Sequence, residues 1–183
     1  MPVETRKVGY SRGTYAASSG YFTPVATPTD VVGLINSSAT SVTGKLVRIT
    51  MSATITSAAV MNFQLLLRST ADTGSTPVTI RPITTDQSTA ASKLTCVQYS
   101  TTNPTPGTPV NTTGLLKLVT LVIPSATTPT NLSADDDQLL WDDNFEGQPI
   151  TLRTGGQGVY VNLNGAALGA GFQMCVNLIW TEE

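Results

Sequence analysis

The densest group of side chains able to do chemistry is acidic: Asp135, Asp136 and Asp137, then Asp142 and Asp143, then Glu146. Within it, Asp142-x-Asn144-x-Glu146-Gly147 matches the opening of a calcium loop, where oxygen ligands alternate and a glycine makes the turn. The match ends at Arg153, which stands where a bidentate glutamate closes such a site. A calcium site built from loop carboxylates stays open as an alternative. The preferred reading is a solvated acidic edge around a strand, with Leu139 and Trp141 pointing inward, which also blunts aggregation between sheet edges. No metal ligand set and no cofactor are assigned.

A glycosidase needs two carboxylic acids about 5–10 Å apart in a cleft. Here the acids crowd into one stretch, and the inner faces of the strand patterns carry none. The chain has no histidine, which removes histidine-based acid–base catalysis and the usual zinc sites. No nucleophile elbow or phosphate loop is present, and no S-x-x-K motif stands in a suitable context. Gly155, Gly156 and Gly158 lie between two strand patterns with no helix after them, so they read as a hairpin turn. The expectation is a protein without catalytic residues.

Charge narrows the classes further. Ten basic and twelve acidic residues in 183 give a net charge of −2, with charged residues at 12%, about half the usual share. Serine and threonine, about a quarter of the chain, supply the missing polarity. There is no clustered basic surface for nucleic acid. The most apolar run, Leu115 to Ile123, is interrupted by Lys117 and too short to span a bilayer. Neither a nucleic-acid nor a membrane partner is expected. The opening MPVETRKVGYSRGTYAASS lacks an apolar signal-peptide segment, so a soluble protein of a reducing cytosol is expected. Cys96 and Cys175 read as free thiols packed as small apolar groups. The N-x-[ST] triplets at Asn36, Asn111 and Asn131 are no more than composition supplies by chance.

Hydrophobic periodicity says what must position these residues. In KLVRITMSATIT, Val47, Ile49, Met51, Ala53 and Ile55 share one face, and Arg48, Thr50, Ser52, Thr54 and Thr56 the other. MNFQLLLRST puts Met61, Phe63, Leu65 and Leu67 inward, with Asn62, Gln64 and Arg68 outward. GFQMCVNLIWTEE aligns Phe172, Met174, Val176, Leu178 and Trp180. Shorter strands are predicted at 31–36, 77–83, 92–100, 115–123, 138–142, 149–154 and 158–164. Turn clusters rich in Gly, Pro and Asn separate them, and no segment sustains helical periodicity. The pattern predicts an all-β fold, an antiparallel two-sheet β-sandwich that is jelly-roll-like because of its strand count and its long Thr/Pro-rich loop near 101–114.

Two regions break the pattern. Residues 1–28 show no apolar period and read as an extended N-terminal arm before a single sandwich domain at 29–183. The arm gathers Arg6, Lys7, Tyr10, Arg12, Tyr15, Tyr21 and Phe22, which are expected to contact a neighbouring surface. In LLKLVTLVI both faces are apolar: Leu115, Val119, Leu121 and Ile123 on one, Leu116, Leu118 and Val122 on the other. A two-layer sandwich buries only one face of a strand, so Leu116, Leu118 and Val122 are expected to meet another subunit or to lie beneath the arm.

The order of features, with SRGTYAA in the arm, TPVATPTDVV leading into a strand, LLLRSTADTGS after a core strand and VNLIWTEE at the close, resembles small β-sandwich virion proteins of tailed bacteriophages. The resemblance covers most of the chain but is one of layout, and no site residue is carried over. It implies a capsid cement or decoration protein on the virion surface, made in the host cytoplasm. The implied partner is the phage major capsid protein, and the implied assembly a homotrimer. A receptor- or glycan-binding jelly-roll module of a tail or fibre is the alternative, with a pocket expected near 135–147 or 164–171.

Overall fold

Alternating apolar residues require a sheet with one face covered, and a computed structural model of the chain shows two such sheets face to face. The structure describes residues 13–37, 42–85, 91–123 and 138–183. Among the described residues, twelve strands and one short helix occur in the order β1 (Gly13–Ser18), β2 (Asp30–Asn36), β3 (Gly44–Thr54), β4 (Ala59–Arg68), β5 (Val78–Ile80), β6 (Ile83–Thr84), β7 (Thr95–Gln98), β8 (Leu115–Ile123), β9 (Gln138–Asp142), α1 (Asp143–Glu146), β10 (Ile150–Leu152), β11 (Gln157–Asn162) and β12 (Gln173–Glu182). One sheet has the order β10-β3-β12-β1-β6, with β9 also paired to β3, and the other β5-β7-β2-β11-β4-β8. Every pairing is antiparallel. The chain is an all-β two-sheet sandwich. In the second sheet β2, β11, β4 and β8 are nested as in a jelly roll.

The core between the sheets takes the residues that alternation assigned inward. Met61, Phe63 and Leu65 of β4 and Met174, Val176, Leu178 and Trp180 of β12 are all buried there. Face assignments fail where the ladders carry β-bulges. A β-bulge places two residues of β3 against one step of β12: Ile179 pairs with Arg48 and Trp180 with Leu46. The extra residue is Val47, so Leu46 turns inward and is fully buried while Val47 is only partly covered. A second bulge, between the β9 pairs to Ile49 and Thr50, does the same around Leu140. Leu140 rather than Leu139 is buried, and Trp141 is partly covered against the core.

Part of the expected arm belongs to the sandwich. Gly13–Ser18 is an interior strand between β12 and β6. Tyr15 is the cross-strand partner of Trp180, and their rings stack with centroids 5.8 Å apart. Phe22 bridges to Met174 and is buried with it. Tyr15 and Phe22 are therefore core residues and not contacts to a neighbour. The sandwich includes Gly13–Ser18 and so does not begin at 29. Sparse alternation hid the strand, because its apolar set is one tyrosine and three alanine or glycine positions.

Two further expectations change. The run 77–83 is split at Arg81 and Pro82 into β5 and β6, which belong to different sheets. Proline has no N–H to offer a ladder, so the break falls where the chain crosses between layers. The glycine turn at 155–158 likewise joins β10 of one sheet to β11 of the other, so it is a crossover and not a hairpin.

Candidate functional site

The outward face of β8 is bare. Leu118 is 56% exposed, Val122 75% and Leu116 37%, while Leu121 and Ile123 point into the core. On β4, Val60 pairs with Val122 and is 67% exposed. Between the apolar ends, Thr120 Oγ1 donates to Asn62 Oδ1 across the ladder at 2.7 Å. β8 closes its sheet, and among the described residues no strand pairs with its other side. The exposed set is thus an apolar ribbon along a nine-residue edge strand, the type of surface that natural sheets cover or use. Lys117, the charge inside this apolar run, pairs with Glu146 of α1 at 2.6 Å and ties the two sheets together at that rim.

The arm residues divide. Tyr21 is half exposed, with its hydroxyl donating to Ser52 Oγ at 3.2 Å. Arg6, Lys7, Tyr10 and Arg12 lie outside the described residues.

The calcium-like sequence has a different use. Asp142 is the N-cap of α1: its Oδ1 accepts from the Asn144 amide at 2.9 Å, and its Oδ2 accepts from Arg48 Nε at 2.7 Å. Gly147 ends the turn in a left-handed conformation, its N–H donating to the Asp143 carbonyl. Burial would raise the Asp142 carboxyl, but the bonds from Arg48 and Asn144 outweigh it and hold the group below the usual carboxylate range. Asp135, Asp136 and Asp137 lie outside the described residues. Phe145, on the same turn, is 81% exposed.

Sequence reasoning missed one constellation altogether. On the outer face of the second sheet, Asp30 of β2, Arg68 at the end of β4, Asp72 just beyond it, and Tyr160 and Asn162 of β11 converge under the Thr101–Gly114 segment. Arg68, expected to face solvent, is 5% exposed. Its Nη2 donates to Asp30 Oδ2 at 2.5 Å, its Nη1 donates to the Gly107 carbonyl at 3.0 Å, and its guanidinium lies 5.3 Å from the Tyr160 ring. Asn162 Nδ2 donates to Asp30 Oδ1 at 2.7 Å. The Asp72 amide donates to the Tyr160 hydroxyl at 3.2 Å, and Asp72 Oδ1 accepts the Gly107 N–H at 2.9 Å. The signal in the sequence was an arginine closing an apolar strand with an aspartate four residues on.

The segment above the cluster is fastened along its length. Thr105 and Thr73 exchange backbone bonds, Ser69 N–H donates to the Thr108 carbonyl, and Val110 N–H donates to the Leu67 carbonyl. At its other end Asn103 Nδ2 donates to the Thr27 carbonyl. Gly107 must be glycine, since a Cβ there would meet the Thr70 carbonyl oxygen at 2.0 Å. The long Thr/Pro-rich loop is therefore a strap over the sheet.

Cys96 sits in the core and Cys175 on the other sheet, and both are free thiols. Asn36 is fully buried, its Nδ2 donating to the Val42 and Leu152 carbonyls, so that triplet presents no amide in the folded chain. Among the described residues no helix is long and apolar enough to cross a membrane. No protein-family model matches the chain, and neither a curated protein nor a solved structure matches it.

Proposed function

We propose that this chain is a non-enzymatic structural protein of a virion, a cement or decoration protein that oligomerises and stabilises the head shell of a tailed phage. The observation that carries the reading is the apolar ribbon of Val60, Leu116, Leu118 and Val122 on the edge pair β4–β8. Exposed apolar side chains along a sheet edge suit a surface that is covered on assembly, at roughly 25 cal/mol per Å² removed from water. A trimer requires that this ribbon meet a different patch on the next copy, because a cyclic threefold contact is heterologous. Binding only to the assembled shell stabilises it by mass action. Contact with the major capsid protein falls to the residues before Gly13, where Arg6, Lys7, Tyr10 and Arg12 stand in the sequence, and to the exposed aromatic Tyr21.

The test is the copy number of this chain relative to the shell protein in purified virions, measured by quantitative mass spectrometry. A ratio near that of the shell protein is expected; absence from virions overturns the reading. Deletion of residues 2–12 keeps β1 intact and is expected to leave a folded sandwich that no longer binds shells. The alternative, a glycan-binding module of a tail or fibre, draws support from the exposed Phe145 and from a surface cleft between Thr23–Ala26 and Leu168–Gln173. It predicts a low copy number and a saturable sugar ligand on a glycan array.

A further inference from the structure

We propose that Asp30 and Asp72 form a proton-binding pair that latches the Thr101–Gly114 strap onto the second sheet, and that loss of the proton as pH rises releases the strap. The geometry sets the proton count. Two carboxyl groups share one guanidinium in a place closed to water: the side chains of Asp30 and Asp72 are both 0% exposed, and that of Arg68 7%. Among the described residues, Arg68 is the one cation bonded or ion-paired to either acid.

The proton's position follows from the bonds. Each oxygen of Asp30 already accepts from a donor, Arg68 Nη2 on one and Asn162 Nδ2 on the other. On Asp72, Oδ1 accepts the Gly107 amide, and Oδ2 is buried with no donor among the described residues. Arg68 Nε stands 3.4 Å from Asp72 Oδ1 and makes no hydrogen bond. A carboxylate oxygen can only accept; a carboxylic O–H can donate. Placing the proton on Asp72 Oδ2 turns the orphan acceptor into a donor beside its neighbour Asp30, and leaves Asp30 and Arg68 as one matched charge pair.

The remaining groups around Asp72 do not supply the missing charge. Tyr160 offers its hydroxyl oxygen to the Asp72 amide, and Tyr99 faces the cluster from the end of β7. Burial first, then the two carboxylates, raises both phenols above their ordinary value, so both stay neutral. Burial and then the neighbouring Asp30 push the Asp72 carboxyl up to about 7, against the opposing pull of the Gly107 amide and Arg68. The sign follows. Because the closed form binds the proton more tightly than an open one, closure is favoured below the ordinary carboxylate value of 3.8 and is progressively lost up to about pH 7. Since Asp72 Oδ1 holds the Gly107 amide and Arg68 Nη1 the Gly107 carbonyl, a displaced Asp72 takes the strap's anchor with it.

Hydrogen exchange of the Gly107 and Thr105 amides, corrected for intrinsic rate, tests the latch on the full chain. The opening constant is expected to rise by up to about tenfold per pH unit between pH 5 and 7. Asp72→Asn, which keeps a donor at that position without a titrating proton, is expected to flatten the dependence. A flat wild-type profile, or a D72N profile as steep as wild type, overturns the proposal. If D72N does not fold, ¹³C NMR of the Asp72 carboxyl in the wild type decides: titration above pH 6 supports the latch, and titration near 4 overturns it.

Discussion

Tyr160 lies flat across Gly33, its antiparallel partner on the neighbouring strand: a Cβ at residue 33 would stand 2.5 Å from Tyr160 Cε1. Gly158, two residues before Tyr160 on its own strand, is equally close at 2.7 Å from Cε2. Two glycines thus make the shelf on which a fully buried tyrosine rests, and Arg68 covers the ring. The strap, the charge cluster and the sheet are held together through that ring.

Gly33→Ala forces the fully buried ring off its shelf. The expected cost is about 1–3 kcal/mol, as for other overpacked interiors. The urea midpoint is the measurement, and an unchanged midpoint means the ring yields more easily than its surroundings imply.

Arg68→Met leaves two buried carboxyls without their cation. Removing one partner of a buried pair costs about 3–5 kcal/mol, so the variant is expected to unfold at much lower denaturant than wild type. Arg68→Lys recovers little, because one ammonium cannot reach Asp30 and the Gly107 carbonyl in the fork geometry that guanidinium gives. Denaturation curves of the two variants at one pH are the comparison to make.

Asp142 and Asp72 tilt the pH profile in opposite directions. Asp142 is held below its ordinary value, so its contribution is present above about pH 4 and is lost as the pH falls through its lower folded value. Asp72 contributes most in acid and is lost by about pH 7. Stability is expected to peak in mildly acidic solution. Thermal melts from pH 3 to 8 should show Asp142→Asn weakening the acid limb and D72N flattening the neutral one.

Adjacent residues of β8 are expected to separate assembly from folding. Val122→Lys alters an exposed side chain, so the melting behaviour of the protomer should stay within about 0.5 kcal/mol of wild type while the oligomer seen by light scattering is lost. Leu121→Ala empties a core position at a cost of about 2–5 kcal/mol. A monomeric wild type, or a V122K that still assembles, would remove the ribbon from the interface.

Local pattern made much of the fold legible. Met61, Phe63 and Leu65, and likewise Met174, Val176, Leu178 and Trp180, announce their inner faces because a strand's side chains alternate with a period of two. Most strands of four residues or more were visible for the same reason, as was the unusual second apolar face of β8. The strand Gly13–Ser18 was not, since its small side chains give no contrast between faces.

By itself the sequence determined the class: alternating apolar residues, threonine-rich outer faces and frequent turn residues leave little but an antiparallel sandwich. Tertiary structure alone decided what covers each outer face. Arg68 has the same local pattern whether water or the Thr101–Gly114 strap lies above it. Its partners come from β2, β11 and a loop, with Asp30 38 residues away. The Val47 bulge likewise depends on how β12 pairs across from it. Periodicity reports which faces are apolar; burial of a charge depends on contacts between distant segments, and those exist only once the sheets have closed.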